Sequence, residues 1–409
     1  VRARLAAAAL YVGGLLGPFG GGVVAAMLPE LGADLGTSAA GATSSITVYV
    51  APFAAVLLVS GTLGERWGRQ RTVRLAYLLY VVASLACALA PTLGSFLACR
   101  ALQGVANAFT TPLLLAGLAD TVPRQRLGRA VGLFASCQAA GQSFAPLVGG
   151  VSAELNWRWA FVGIAAAALL LALVPPPGEP RPGAAAPAWR SLCSRRVGLV
   201  SAVAFAGFAG TAGLPFLVSL RAADAFGTGA AGRGLLLAGF GVAGLLCGPV
   251  SGRLVDRWGS RRCAAAATLA CGALVGTLGL VDSAGALAGQ WAATGVATSL
   301  LTVSTNALAL SAVPANRAGA VSTMSAFRFG GFALAPVLWL PLYHRAALLG
   351  FGGPAVVLLA VVLPAVALWP AGHPDGPAAP DGPAAPDGPE PGRAAVSGGN
   401  SDETVSDYD

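Results

Sequence analysis

Apolar residues come in long blocks along this chain, not in the narrow stripes of a soluble core. Twelve runs approach the roughly 20 residues that a helix needs to cross a bilayer: 6–28, 44–63, 75–92, 94–117, 128–150, 158–175, 198–219, 234–253, 264–281, 285–311, 318–341 and 349–370. Each is predicted to be a transmembrane helix, so the expected fold is an all-α membrane protein. A Pro-rich stretch at 176–197, holding Arg190, Arg195 and Arg196, divides the runs into six and six. Its composition is that of a stiff, exposed linker.

Between the second and third runs, polarity concentrates in Gly61-Thr-Leu-Gly-Glu-Arg-Trp-Gly-Arg-Gln-Arg71. The pattern returns 191 residues later as Gly252-Arg-Leu-Val-Asp-Arg-Trp-Gly-Ser-Arg-Arg262. The same shift carries Gly36, Thr37, Ala39, Ala40 and Gly41 onto Gly227, Thr228, Ala230, Ala231 and Gly232, and Gly104 onto Gly295. The chain therefore reads as two similar halves, 1–175 and 198–370, the pattern of a transporter built from two six-helix bundles. Glycines bracketing a short turn let two helices end close together. The charged residues there (Glu65, Arg66, Arg69 and Arg71 with Gly61 and Gly68; Asp256 and Arg257 with Gly252 and Gly259) can then pair across it. A partly dehydrated ion pair near the headgroups can latch a movable bundle. Basic turns also simply hold their side of the membrane inside; the duplication favours the latch.

Composition agrees with the runs: 56% of residues are hydrophobic and 10% charged, whereas a soluble domain has about a quarter charged. The basic residues are all arginine. Residues 1–370 hold 24 Arg against 9 acids, whereas 371–409 hold one Arg against 8. The positive charge belongs to loops beside the membrane and does not read as nucleic-acid binding. With the N-terminus inside, 18 arginines fall in cytoplasmic segments and four (Arg158, Arg221, Arg233, Arg345) outside, which predicts that both termini are cytoplasmic. The first run, which follows Arg-Ala-Arg-Leu, reads as a retained helix and not a cleaved signal peptide. The tail from Ala371 is acidic and rich in Pro and Gly, with too little apolar surface to fold. It reads as an inert soluble extension or a regulatory segment. The seven cysteines are scattered without CxxC pairs and read as small core residues. No metal cluster, cofactor or catalytic nucleophile–base set stands out, so an enzyme is disfavoured.

These residues resemble the major facilitator superfamily over about 5–370. Gly61–Arg71 is similar to the family's loop 2–3 signature G-x-L-a-D-R-x-G-R-R, with Glu65 for the usual Asp; the second copy has Asp256. Arg100-Ala-Leu-Gln-Gly in the fourth run resembles the R-x-x-q-G pattern. The fifth run, with Gly132, Gly141, Ala145, Pro146, Gly149 and Gly150, looks like the antiporter signature G-x8-G-x3-G-P-x2-G-G, Ala145 replacing one Gly. Asn156-Trp-Arg-Trp-Ala-Phe161 follows, as in the drug:proton antiporter branch. The resemblance implies twelve helices in two pseudo-symmetric bundles, export driven by proton exchange, and a fifth helix that seals against its partner. Ordinary small-residue packing is the other reading of that helix.

Two arginines sit where charge is costly. Arg328 lies 11 residues past Arg317, about 16 Å along the helix and near mid-bilayer; Arg100 lies about 9 Å in from the outer end of its run. Gln103 and Asn107 share Arg100's run, Gln138 and Gln142 the fifth, and Gln290, Thr294, Thr298, Thr302 and Asn306 follow one face of the tenth. With Arg100 and Arg328 these are candidate cavity groups; interhelical hydrogen bonds alone also account for any single threonine. No Asp, Glu or His lies mid-run, and arginine does not release its proton at working pH. Three functions stay open. The first is proton-coupled export of a small organic molecule by alternating access across a cell membrane. The second is uniport or exchange of an organic anion held by Arg100 and Arg328. The third is a non-transporting scaffold or sensor. The expected partners are a small-molecule substrate, protons and the lipid bilayer, with no nucleic acid, for a monomeric chain.

Overall fold

Proline and glycine decide where the long apolar runs bend and stop. The computed structural model describes residues 2–37, 42, 44–174, 189–228 and 230–370. Most of the expected linker (175–188), the tail 371–409 and positions 38–41, with their share of the repeat, lie outside the described residues. The first half contains α1 (Arg2–Gly22), α2 (Leu28–Asp34), α3 (Ser44–Trp67), α4 (Arg69–Leu89), α5 (Leu93–Ala108), α6 (Thr110–Thr121), α7 (Leu127–Leu155) and α8 (Arg158–Leu173). The second contains α9 (Arg195–Ala209), α10 (Pro215–Phe226), α11 (Ala230–Trp258), α12 (Ser260–Thr277), α13 (Ala284–Ala312), α14 (Arg317–Arg345) and α15 (Ala347–Ala367).

Among the described residues, nine helical stretches are long and apolar enough to cross a membrane. The remaining expected spans are helical too. The fifth is α7, 29 residues long but diluted by Gln, Ser and Gly, and the sixth is α8, of 16 residues. The seventh departs from the expected continuous run: it breaks between α9 and α10, where Gly210 and Gly213 precede Pro215 at the start of α10. Proline's missing N–H and its bias against a helical predecessor stop the ladder there. The fourth run is also broken, at Phe109 between α5 and α6. Pro112 offers no donor to the Ala108 carbonyl, and the Ser60 hydroxyl of α3 donates to it instead, at 2.7 Å.

The repeat is visible in the packing. Gly104 presses on the Tyr49 carbonyl and Gly295 on the Phe240 carbonyl; Gly141 presses on Leu15 and Gly331 on Phe205. A β-carbon at any of these four would occupy the space of the facing carbonyl oxygen. The N-terminus of α5 is capped by Thr92, and the N-terminus of α13 by its repeat counterpart Ser283.

Two helix pairs join the halves at the arginine-rich end. Gly128 and Gly132 of α7 lie against Gly248 and Gly252 of α11, backbone on backbone, with no room for a side chain. Pro249 withholds a donor from the Leu245 carbonyl, and Ser136 of α7 supplies one at 2.8 Å. In the other pair, Gly61 of α3 abuts the Ala318 carbonyl of α14. Gly61 and Gly252 therefore serve helix contact and do not bracket a turn, contrary to the sequence expectation. The turn itself needs one residue, Gly68 at φ 91° or Gly259 at φ 82°, values that favour glycine. Towards the opposite end, α7 from Gly141 on buries only Gly141, Ala145 and Gly149, and α14 from Gly331 on only Gly331, Ala335, Trp339 and Tyr343, about every fourth residue, while Leu147, Val151 and Val337 are exposed. The two halves are thus pressed together at one end and splayed at the other.

Gly132→Leu should lower the melting temperature by several degrees, as expected for overpacking that costs about 1–3 kcal/mol. Gly163→Leu, where a β-carbon meets nothing within 4 Å, should leave it within a degree or two; thermal melting of both proteins in detergent is the check.

Candidate functional site

At the arginine-rich end the side chains extend the glycine contacts into a charge network. Arg69, 3% exposed at the start of α4, bonds Glu65 Oε1 through Nε and Nη2 at 2.8 and 2.6 Å. Its Nη2 also lies 2.9 Å from Asp120 at the end of α6, and Asp120 in turn accepts from Arg317 at the start of α14. One arginine thus ties two helix ends of the first half, and Asp120 carries the tie into the second. In the repeat copy, Asp256 of α11 accepts from the backbone N–H groups of Gly128 and Arg129 at 2.6 and 2.9 Å. These donors begin α7, have no partner within the helix and carry the positive end of its dipole. The start of α14 is met differently: Asn316 Oδ1 accepts from the Gly319 N–H, and Asn316 Nδ2 donates to Thr62 at 2.9 Å.

The expected latch residues therefore divide. Glu65, Arg69 and Asp256 take part in the polar contacts between helix ends, with Gly61 and Gly252 supplying the close approach. Arg66 lies over the Trp189 ring at 5.7 Å, while Arg71 and Arg257 are exposed and stand outside this network. Asp120, Arg317, Asn316 and Thr62 were not singled out. The repeat passes over Asp120, since the equivalent position is Ser311.

Deeper in the first half, Arg100 is fully buried. Its Nη1 donates to the Gly20 carbonyl at 3.0 Å and to Gln103 Oε1 at 2.8 Å, and its guanidinium lies 4.3 Å from the centre of the Tyr49 ring. Gln103 donates to Ser84, and Asn107 donates to the Tyr49 hydroxyl at 2.9 Å. The glycine run of α1 makes this possible, because a β-carbon at Gly17 would strike Asn107 Oδ1 and one at Gly20 the Tyr80 hydroxyl. The Nε and Nη2 atoms of Arg100 have no hydrogen-bond partner.

Arg328 is the second-half counterpart in chemistry. Its Nη2 donates to Asn306 Oδ1 at 2.6 Å, its guanidinium lies 4.8 Å from the Phe208 ring centre, and its Nε has no partner. Beside it is a narrow cavity lined by Thr211, Thr298, Thr302 and Thr305, with room for about one water. An aromatic path joins the two arginine sites: Tyr49 stacks on Phe53 at 6.2 Å, and Phe53 meets Phe329, next to Arg328, at 5.0 Å.

The candidate cavity groups thus form two clusters, Arg100 with Gln103 and Asn107, and Arg328 with Asn306, Thr298 and Thr302. The polar face of α13 does not stay whole: Gln290 donates to Thr277 and the Leu274 carbonyl, and Thr294 to its own helix at the Gln290 carbonyl. Gln138 is partly buried and Gln142 exposed on α7, and neither joins an arginine cluster. In the antiporter-like motif only Gly132 faces α11. Gly141 packs on α1 and Gly149 on Val23, just past its end, within their own half, and Ala145 approaches Gly22. Gly132 thus meets the partner half, and Gly141, Ala145 and Gly149 make the small-residue packing that was the other reading of this helix. Pro146 lies inside unbroken α7.

The splayed end has its own tie. Asp34 accepts from Arg158 and from the Trp157 indole at 3.1 Å, and the repeat-related Asp224 accepts from the Tyr343 hydroxyl. The Arg158 guanidinium, helped by Trp157, holds the Asp34 carboxyl below the usual carboxylate range. The tie is therefore intact at neutral pH and is lost as pH falls through that lowered value.

Arg69→Ala should leave Glu65 and Asp120 facing one another without their shared cation, costing about 3–5 kcal/mol, as when one partner of a buried pair is removed. Exposed Arg71→Ala should cost little. Melting temperatures compared at matched detergent and salt would show the difference, and equal losses would contradict the assigned roles.

Comparison with known proteins accords with this geometry. The chain is 35% identical over 159 residues to the MFS-type transporter EfpA of Mycobacterium tuberculosis, covering 38% of this chain and 30% of that protein. It is 33% identical over 190 residues to the multidrug efflux pump LfrA of Mycolicibacterium smegmatis, covering 44% and 38%. The matches thus span about a third of the length of these relatives. The crystal structure of the human organic anion transporter MFSD10 superposes with a TM-score of 0.74 at 16% identity, covering 88% of this chain and 99% of that one, a likeness of fold. The sequence model of the Major Facilitator Superfamily matches residues 10–232 and 199–397, nearly the whole length. The chain belongs to the Major Facilitator Superfamily, with the fold of a multi-pass membrane protein.

Proposed function

We propose that this transporter exports a small organic molecule, a drug or metabolite, by alternating access. In this reading the bundles 1–175 and 198–370 rock against one another about the region between Arg100 and Arg328, with both termini cytoplasmic. The observation that carries it is the one-sided closure. Asp256 on the α7 N-terminus and the chain Glu65–Arg69–Asp120–Arg317 tie the arginine-rich end, while towards the other end α7 and α14 leave most of their residues exposed. A transporter held shut towards the cytoplasm and splayed outward is in the posture that releases cargo. The name of LfrA, a multidrug efflux pump, supports the direction.

Proton exchange is the proposed drive, and the carboxylates available to it are those at the helix ends. A proton on Asp256 removes the charge that meets the α7 dipole, and one on Asp120 removes the anion shared by Arg69 and Arg317. Either weakens the closure and favours return to the inward-facing state. The arginine clusters favour a second reading, exchange of an organic anion, since Arg100 and Arg328 each keep an unpartnered nitrogen and neither bonds a carboxylate. A signalling role for the acidic tail is the remaining alternative, and deleting 371–409 should leave flux unchanged under either transport reading.

The test is flux in proteoliposomes with and without an imposed pH gradient, using cationic dyes and organic anions. Proton-coupled export predicts gradient-driven dye movement that falls tenfold or more in Asp256→Asn. Anion flux that ignores the gradient and disappears in Arg100→Ala and Arg328→Ala would overturn that reading in favour of anion exchange.

A further inference from the structure

A groove of about 370 Å³ runs along the arginine-rich half of α4, apart from both arginine clusters. Its floor is Ala76 and Ala106, small residues of α4 and α5 that leave a trough where larger side chains would close it. Leu75 and Leu79 form one wall. Trp67 forms the other, stacked on Phe109 with ring centroids 6.1 Å apart and planes 20° from parallel. Trp67 and Leu75 are 57% and 54% exposed, so in a membrane this surface meets lipid.

Arg71 stands at the mouth, one helical turn before Leu75, exposed and outside the closing network. Beside it, the Thr72 hydroxyl is turned inward onto the Gly64 carbonyl, which leaves the guanidinium as the mouth's outward polar group. No carboxylate lines the groove, and Arg74 is exposed one turn from Gln70 on the same helix. From Arg71 to Leu79 the helix rises about 12 Å, most of one leaflet's share of a roughly 30 Å hydrocarbon layer. A cation at headgroup level above an apolar trough of that depth matches one kind of molecule.

We propose that this groove binds one anionic phospholipid, its phosphate on Arg71 and one acyl chain along Leu75, Leu79 and Phe109. A guanidinium suits phosphate because its planar fork donates two hydrogen bonds at once. Basic pockets between helices at the cytoplasmic face hold anionic headgroups for the same reason. The site belongs to the first half. At the repeat-related positions, Arg262 keeps the cation, but Ala266, Ala270 and Leu300 replace Leu75, Leu79 and Phe109, so the leucine wall is absent.

That difference supplies an internal control. The full chain in detergent is titrated with palmitoyl-oleoyl phosphatidylglycerol or phosphatidylcholine, and bound lipid is counted by native mass spectrometry. The wild type should retain one phosphatidylglycerol with a preference over phosphatidylcholine of about fivefold or more, the scale expected for one arginine at the membrane surface. Arg71→Gln should abolish the preference, Leu75→Trp should fill the trough and remove retention of both lipids, and Arg262→Gln should behave as wild type. Melting temperatures confirm that each variant is folded. Equal retention of the two lipids by wild type, an unchanged Arg71→Gln or Leu75→Trp, or an equal loss in Arg262→Gln would overturn the proposal.

Discussion

Backbone meeting backbone at glycine is the contact on which this molecule depends. Lipid offers helices little reason to associate, so they hold together by approaching closely enough for dispersion and polar contacts to act. Gly104 on Tyr49, Gly141 on Leu15, and Gly295 and Gly331 on their counterparts bring helices together within each half. Gly128, Gly132, Gly248 and Gly252 do so between halves. The polar chemistry rests on these contacts. Tyr49 lies under Arg100 because α3 sits against Gly104, and Asp256 reaches the first turn of α7 because no side chain holds α11 away.

The two arginine clusters show how charge is kept inside such a bundle. Neither Arg100 nor Arg328 is paired with an acid in its cluster. Each is met by a side-chain amide and the face of an aromatic ring, and Arg100 also by the Gly20 carbonyl. These dipoles lower the cost of the charge without cancelling it. Arg69, close to the headgroups, is instead shared between two carboxylates.

Much of the architecture was legible in the sequence because a bilayer leaves helices few alternatives. Runs of apolar residues announce the helices, and the repeat of Gly61–Arg71 at Gly252–Arg262 announces their doubling. Less legible was what each glycine does. Gly61 and Gly252 look like turn residues beside a charged loop, yet the helices run through them, and it is Gly68 and Gly259 that turn the chain there with positive φ. The break before Pro215 was passed over because its surroundings are as apolar as a span. Asp120 escapes the sequence for a different reason: its partners, Arg69 and Arg317, lie on two helix ends far apart in sequence, and the repeat does not duplicate it. Such relations between elements leave no periodic trace along the chain.

Ser136 adds a condition on movement. The bond from its hydroxyl to the Leu245 carbonyl crosses from α7 to α11 and exists because Pro249 withholds the usual donor. When the two helices part, that carbonyl loses its partner and its own helix has no replacement. Parting into hydrocarbon leaves it bare, whereas parting into a wetted cleft gives it water at once. Separating these two helices therefore requires water behind the seam, so the hydration of the interior, and not tilt alone, limits any such parting.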